Sequence, residues 1–140
     1  MEIKDYFTIE KLSVGKDLNN LEKGIGCIYK ENSITTALFH NGEAMHYIGY
    51  IEFSPNVPRG NHYHNKRYEN ICIIKGSVKV RYYFPQDRSI YYDVVLNAGD
   101  IVCVKPGLAH NYISESGAVA VEYALQNYEQ ADVIPCKIEW

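Results

Sequence analysis

Apolar and polar residues alternate in short runs along the chain, and turn residues separate the runs. From Ser77 to Phe84 every second side chain is apolar, which is the period of a strand with one buried face. The same reasoning predicts strands at 34–39, 45–53, 90–96, 101–104 and 118–125. The Asn41-Gly42 pair predicts a turn through which 45–53 returns along 34–39, and residues 17–23 fit a helical turn. The pattern therefore predicts an all-β sandwich or barrel.

The composition agrees with this fold and excludes several other kinds of protein. Of the 140 residues, 46% are hydrophobic and 22% are charged, which is typical of a globular protein and not of a disordered one. The 13 tyrosines favour strands and half-polar pockets, because the ring packs while the hydroxyl needs a partner. The net charge of −3 gives no reason to expect a nucleic-acid partner. No apolar run is long enough for a membrane span, and the charged residues of 1–11 argue against a signal peptide, so a cytoplasmic location is expected.

The four cysteines lie 45, 31 and 33 residues apart, with no close pair of the kind that forms a structural zinc site. Cys72 and Cys103 fall inside apolar runs, where a reduced thiol behaves as a small buried hydrophobe. Disulfides are rare in the cytoplasm, so we expect reduced thiols.

The chemistry of the chain is concentrated in three histidines and one carboxylate. His62 and His64 are two residues apart, so on a strand their imidazoles point to the same side. Glu69 follows a short polar stretch that can turn its carboxylate back to that side. His110 follows the Pro106-Gly107 turn and shares a strand face with Tyr112. Such a donor set suits zinc, iron, nickel, manganese or cobalt and leaves a coordination position open, as in catalytic sites.

These residues resemble the two sequence motifs of the cupin superfamily. The first motif is matched by Gly60, His62, His64, Glu69 and Gly76, and the second by Gly99, Pro106, Gly107 and His110. The resemblance implies a single conical cupin β-barrel, or jelly roll, in which two antiparallel sheets enclose one divalent metal (Zn, Fe, Ni or Mn) held by His62, His64, Glu69 and His110. It also implies a homodimer. We expect one domain over 1–140, with the motif region at 60–114, N-terminal strands or an arm at 1–30 and a C-terminal tail at 127–140.

Several side chains near the motifs are candidates for binding a small-molecule substrate. Arg59 and Arg67 flank the histidine strand and can attract an anion such as phosphate. Tyr50 and Tyr82 are candidates for orienting the substrate inside the barrel. Tyr112, or a Glu69 carboxylate released from the metal, is the candidate for moving a proton. The sequence offers no obvious general base apart from the metal ligands.

Three functions remain open at this point. The stretch from Arg59 to Tyr112 is similar to the cupin halves of bacterial surface-polysaccharide enzymes, which implies a metal-dependent isomerase or epimerase of a sugar or nucleotide-linked sugar. The same donor set suits an iron(II)-dependent dioxygenase. A non-catalytic metal or small-molecule binder, acting as an accessory protein, is the third hypothesis, because one barrel serves many functions.

Overall fold

Strands dominate the computed structural model of the protein, which describes residues 1–15, 27–31, 34–38 and 44–140. Short 3-10 turns occupy Ile3–Tyr6 and Gln130–Asp132. The strands in the described residues are β1 (Phe7–Lys11), β2 (Ser13–Gly15), β3 (Cys27–Glu31), β4 (Ile34–Leu38), β5 (Tyr47–Phe53), β6 (Arg59–Tyr63), β7 (Glu69–Phe84), β8 (Asp87–Asn97), β9 (Asp100–Val104), β10 (Ala109–Ile113), β11 (Ala118–Ala124) and β12 (Ile134–Pro135). The all-β prediction is confirmed.

The long strand β7 belongs to two antiparallel sheets. Its first half pairs with β9 and β11, which in turn pair with β1 and β5. Its second half pairs with β8 and β10, and β10 continues through β6 to β12. Strands β2, β3 and β4 form a separate three-stranded sheet in which β2 and β3 run parallel. Two antiparallel sheets around one core are the expected jelly-roll architecture.

Gly76 lies in β7 between the half that pairs with β11 and the half that pairs with β8 and β10. Its φ is +85°, a conformation that glycine adopts at little cost and other residues rarely adopt. A Cβ at this position would approach the Gly117 carbonyl oxygen to 2.6 Å, so a side chain has no room. The glycine of the first motif is therefore required by the close packing of β7 against the turn before β11.

The core lies between the two sheets and is filled by aliphatic and tyrosine side chains. The alternation predicted from Ser77 to Phe84 is confirmed, since Val78, Val80 and Tyr82 are fully buried. Other members of the core are Ile51, Phe53, Ile71, Ile73, Leu96, Val102, Val104, Leu108, Tyr112 and Ala120. The cysteines Cys72 and Cys136 are buried free thiols.

The outward face of β7 carries an exception to its alternation. Tyr83 is fully buried because the C-terminal tail covers it: Cys136 and Ile138 pack against the ring, and the Tyr83 hydroxyl donates a hydrogen bond to the Cys136 carbonyl. The tail also adds β12 to the edge of β6. The C-terminal segment is therefore part of the sheet that carries the histidines.

One predicted strand pairing is wrong. Strand β5, expected to return along the 34–39 strand, pairs with β11, whereas β4 pairs with β3. The Asn41-Gly42 turn and the helical turn at 17–23 lie outside the described residues. In the part of the chain that the structure describes, no helix has the length and apolar character needed to span a membrane.

Candidate active site

The four predicted metal ligands meet in one cluster. His62 and His110 face each other across the β6–β10 pairing, and their Nε2 atoms are 3.2 Å apart. Glu69 reaches both sides of the cluster, with Oε2 3.2 Å from His64 Nε2 and Oε1 3.3 Å from His110 Nε2. The four ligand atoms lie within 4.8 Å of one another. Ligands about 2.0–2.1 Å from a shared tetrahedral ion would be roughly 3.4 Å apart, so the three spacings of 3.2–3.3 Å fit one metal. The 4.8 Å spread of the whole cluster would have to contract for all four residues to bind the same ion.

Backbone carbonyls set the orientation of two of the imidazoles. His64 Nδ1 donates to the Asp132 carbonyl oxygen at 2.7 Å, and His62 Nδ1 lies 3.1 Å from the Gly60 carbonyl oxygen. With the proton on Nδ1, the Nε2 lone pair of each ring faces the cluster, which is the usual arrangement of metal-binding histidines. The donor set therefore fits a divalent transition metal by its chemistry, by the three short spacings and by the tautomers of His62 and His64.

The protonation states also suit a metal. Burial, followed by the neighbouring His110, lowers the pKa of His62 to about 3. Burial lowers the pKa of His110 as well. Burial alone would raise the pKa of Glu69, but His110 and His64 outweigh it and hold that pKa below its usual range. At neutral pH His62 and His110 are therefore neutral and Glu69 is an anionic carboxylate.

Arg67 is a buried cation beside the same ligands. Its Nη2 donates to His64 Nε2 at 3.0 Å and lies 3.5 Å from Glu69 Oε2. The rings of Tyr47 and Tyr128 hold the guanidinium at 5.1 and 5.4 Å from their centroids. Arg67 and a bound metal would therefore compete for His64 and Glu69. Its Nε atom is buried and has no hydrogen-bond partner in the described part of the chain.

A cavity of about 250 Å³ opens onto the cluster. It is lined by Arg59, Gly60, His62, Arg67, Glu69, Ile71, His110, Tyr112, Glu122, Tyr128 and Val133. The two predicted anion-binding arginines and the predicted proton carriers Tyr112 and Glu69 are therefore brought together. The Tyr112 hydroxyl donates to Glu69 Oε1 at 3.3 Å.

The two tyrosines predicted to orient the substrate do not line this cavity. Tyr50 lies on the outer face of β5 and is 66% exposed, because alternate residues of a strand point to opposite sides. There its hydroxyl donates a hydrogen bond to Glu52. Tyr82 is fully buried in the core and stacks on Phe7. Its ring fills the barrel interior outside the lining of the cavity.

Two residues at the site carry no signal in the motifs. Asp132 anchors the turn that follows His64: its Oδ1 accepts from the amides of Asn65 and Lys66, and its Oδ2 accepts from the amide of Arg67. Glu122 enters the cavity from β11. The one available sequence signal for Glu122 is that it follows Ala118 and Ala120 at intervals of two, which places its side chain on the same, buried face of the strand.

Comparison with protein families identifies the chain. Residues 38–132 match the model of the polysaccharide biosynthesis C-terminal domain. The chain belongs to this family. A comparison with curated protein sequences finds no match.

Solved structures resemble this polysaccharide biosynthesis domain in fold. A single-residue mutant of the 3,4-ketoisomerase QdtA from Thermoanaerobacterium thermosaccharolyticum, in complex with TDP-4-keto-6-deoxyglucose, is 16% identical with a TM-score of 0.68; the match covers 92% of this chain and 86% of that one. A 3,4-ketoisomerase from Helicobacter canadensis is 16% identical with a TM-score of 0.70, over 91% and 89%. The capsular polysaccharide assembling protein CapF from Staphylococcus aureus is 14% identical with a TM-score of 0.61, over 79% of this chain and 34% of CapF. At these identities the likeness establishes the fold, which is the cupin barrel.

Proposed function

We propose that this domain isomerises a keto sugar linked to a nucleotide, with a divalent transition metal at the histidine cluster. The observation that carries the proposal is the cavity that joins the ligands His62, Glu69 and His110 to Arg59 and Arg67. Membership of a polysaccharide-biosynthesis family and a fold shared with sugar 3,4-ketoisomerases support the same reaction class. The homodimer and the cytoplasmic location stay predictions.

The metal part of the proposal rests on the donor set. His62, His64, Glu69 and His110 would hold the ion, and three spacings of 3.2–3.3 Å and the tautomers of His62 and His64 fit it. A bound metal would supply a Lewis acid that polarises a carbonyl oxygen. Among zinc, iron, nickel and manganese, the donor types alone favour no single ion.

The two arginines would bind the anionic part of the substrate. Arg67 has a buried Nε donor without a partner among the described residues, and such a group costs free energy unless a ligand satisfies it. Arg59 is half exposed and lines the same cavity. Ligand pockets usually measure about 300–1,000 Å³, so a cavity of about 250 Å³ suits one sugar ring, with the nucleotide outside. QdtA has been solved with TDP bound.

The test uses protein purified without a metal-chelating tag. Its metal content is measured by elemental mass spectrometry, and conversion of TDP-4-keto-6-deoxyglucose to the 3-keto isomer is followed by NMR. We expect about one equivalent of a divalent transition metal and turnover. The double variant His62→Ala/His110→Ala should fold but lose metal and activity, whereas His46→Ala, at an exposed histidine that contacts Asn127, should keep both.

Each other outcome contradicts a named part of the proposal. Turnover without metal, or full metal content in the double variant, would overturn the metal assignment. Iron with oxygen uptake and no isomerisation would replace the isomerase with a dioxygenase. Tight TDP binding without turnover would leave a non-catalytic binder.

A further inference from the structure

An isomerase needs a group that carries a proton, and most polar groups in the cavity are unsuited to that task. The histidines and Glu69 face one another as metal ligands. The Tyr112 hydroxyl is fully buried, donates to Glu69, and has a pKa raised well above its usual value, first of all by burial. An arginine guanidinium donates hydrogen bonds but accepts none, so it does not serve as the base that removes a proton. The Tyr128 hydroxyl donates a hydrogen bond to Gln130 at the exposed surface.

Glu122 is, among the described residues that line the cavity, the carboxylate that is not a metal ligand. It lies on the central part of β11, opposite Ile71 of β7 and Gly49 of β5. The side chain packs over Gly49, where a Cβ would lie in ordinary van der Waals contact, 3.5 Å from Glu122 Oε1. The Glu122 side chain is only 12% exposed, and its Oε1 is 3.8 Å from Arg59 Nη2.

From this geometry we infer that Glu122 is the acid–base residue that moves a proton between adjacent carbons of the sugar. The inference rests on the proposed isomerase function. Glu122 would take the proton from the hydroxyl-bearing carbon next to the carbonyl. The electron pair of that C–H bond becomes the C=C bond of an enediolate, and the carbonyl π pair moves onto its oxygen.

The second half of the reaction restores the enzyme. The proton of the neighbouring hydroxyl passes to the former carbonyl oxygen, so that the new carbonyl forms on the first carbon. Glu122 returns its proton to the former carbonyl carbon. Both carbon–oxygen σ bonds remain intact, and no oxidant or reductant is consumed. One carboxyl group therefore suffices for both proton transfers at carbon.

The surroundings of Glu122 suit a proton carrier. Burial, followed by the charge of Glu69, raises its pKa, while Tyr47, Arg59 and Arg67 oppose the shift. These groups face it from β5, from β6, from the turn after β6 and from the start of β7. A carboxyl group with a raised pKa exchanges protons more readily near neutral pH, which is the condition for efficient general acid–base catalysis.

The decisive experiment compares Glu122→Gln with the wild type in D₂O, using TDP-4-keto-6-deoxyglucose as the probe. Glutamine keeps the shape of the side chain but cannot accept the proton. We expect deuterium incorporation at the sugar carbon and isomerisation to fall by about 10²–10⁴-fold. The KM for the probe, the metal content and the thermal unfolding midpoint should change little. Glu52→Gln is the matched control, because Glu52 lies on the outer face of β5 and contacts Tyr50.

The outcomes separate this inference from the proposed function. Wild-type protein that neither exchanges nor isomerises the probe overturns the isomerase itself. Wild-type protein that does both, together with an unchanged Glu122→Gln variant, overturns the role of Glu122 alone. In Glu122→Asp we expect partial recovery and a pH–rate profile that keeps its acidic limb. A Glu122→Gln variant that keeps that acidic limb would also contradict the assignment.

Discussion

At the scale of single residues, Asp132 supports the proposed metal site from outside the cavity. Its carbonyl oxygen fixes the His64 ring, and its carboxylate accepts three backbone amides from residues 65–67. Burial alone would raise the pKa of Asp132, but these amide hydrogen bonds hold it below the usual value. The turn that they stabilise brings Glu69 back toward His64.

Removing the Asp132 carboxylate should therefore weaken metal binding. In Asp132→Ala the amides of the turn lose their acceptors, and we expect metal affinity to fall about 10–100-fold. Competition of the wild type and the variant with a chromophoric chelator for zinc measures the ratio. The control is Glu129→Ala, since exposed Glu129 contacts Lys66 on the surface. Equal affinity in Asp132→Ala and the wild type would show that the turn holds its shape without the carboxylate.

The cluster of three histidines and Glu69 was predictable from sequence, whereas its supporting residues were not. His62, His64 and Glu69 are close in the chain, so the strand period and one short turn determine their common direction. Asp132 reaches His64 from 68 residues away, and Glu122 arrives through the pairing of β11 with β7. Neither contact has a fixed spacing in sequence, because each depends on how separate strands meet.

At the scale of elements, β7 connects the two sheets. Its residue Gly76 has a positive φ and no room for a side chain. The alternation of apolar residues predicted that strand and the direction of its side chains. It did not predict which strands pair, because a strand pattern does not identify the partner of that strand. Strand β5 follows β4 in the chain but pairs with the distant β11. Pairing across the barrel follows from tertiary packing, which local periodicity does not record.

Gly76→Ala should destabilise the protein more than Gly107→Ala. Both glycines have positive φ, which costs a residue with a side chain about 1–3 kcal/mol. At Gly107 the nearest atom to an added Cβ is Tyr6 Cε1 at 3.9 Å, whereas at Gly76 it is a backbone oxygen at 2.6 Å. Urea unfolding should show a loss in Gly76→Ala at least about twice that in Gly107→Ala. Similar losses in the two variants would mean that β7 yields to the added methyl group.

At the scale of the whole molecule, Arg81 ties the C-terminal tail to the sheet of the histidines. Arg81 forms two hydrogen bonds of 2.7 Å with Asp93 and donates to the Glu139 carbonyl oxygen. Its guanidinium also lies 4.2 Å from the Tyr91 ring centroid and 4.9 Å from that of Trp140. The hydrogen bond from Arg81 is the main cause that lowers the pKa of Asp93.

The stability that this pair contributes should depend on pH in one direction. Because the pKa of Asp93 is lower in the folded protein, the contribution is complete above the unfolded pKa, about 3.9, and is lost as the pH falls through the folded pKa. At pH 7, Asp93→Asn should lower the unfolding free energy by about 1 kcal/mol. Urea unfolding at pH 7 and pH 3 should show the gap between wild type and variant narrowing on acidification. A gap that widened would mean that folding raises the pKa of Asp93 instead of lowering it.

Asp132 and β12 lie far downstream of the histidines that they support. This order along the chain has a consequence for folding during translation. During synthesis His62 and His64 emerge about 70 residues before Asp132 and Pro135, the residues that orient the His64 ring and pair with β6. Until then the β6 edge is unpaired on that side, and the His64 ring lacks its acceptor. A nascent chain therefore presents the histidines before the residues that hold them in place exist, so any metal bound in the finished geometry would bind only after residue 135 has been made.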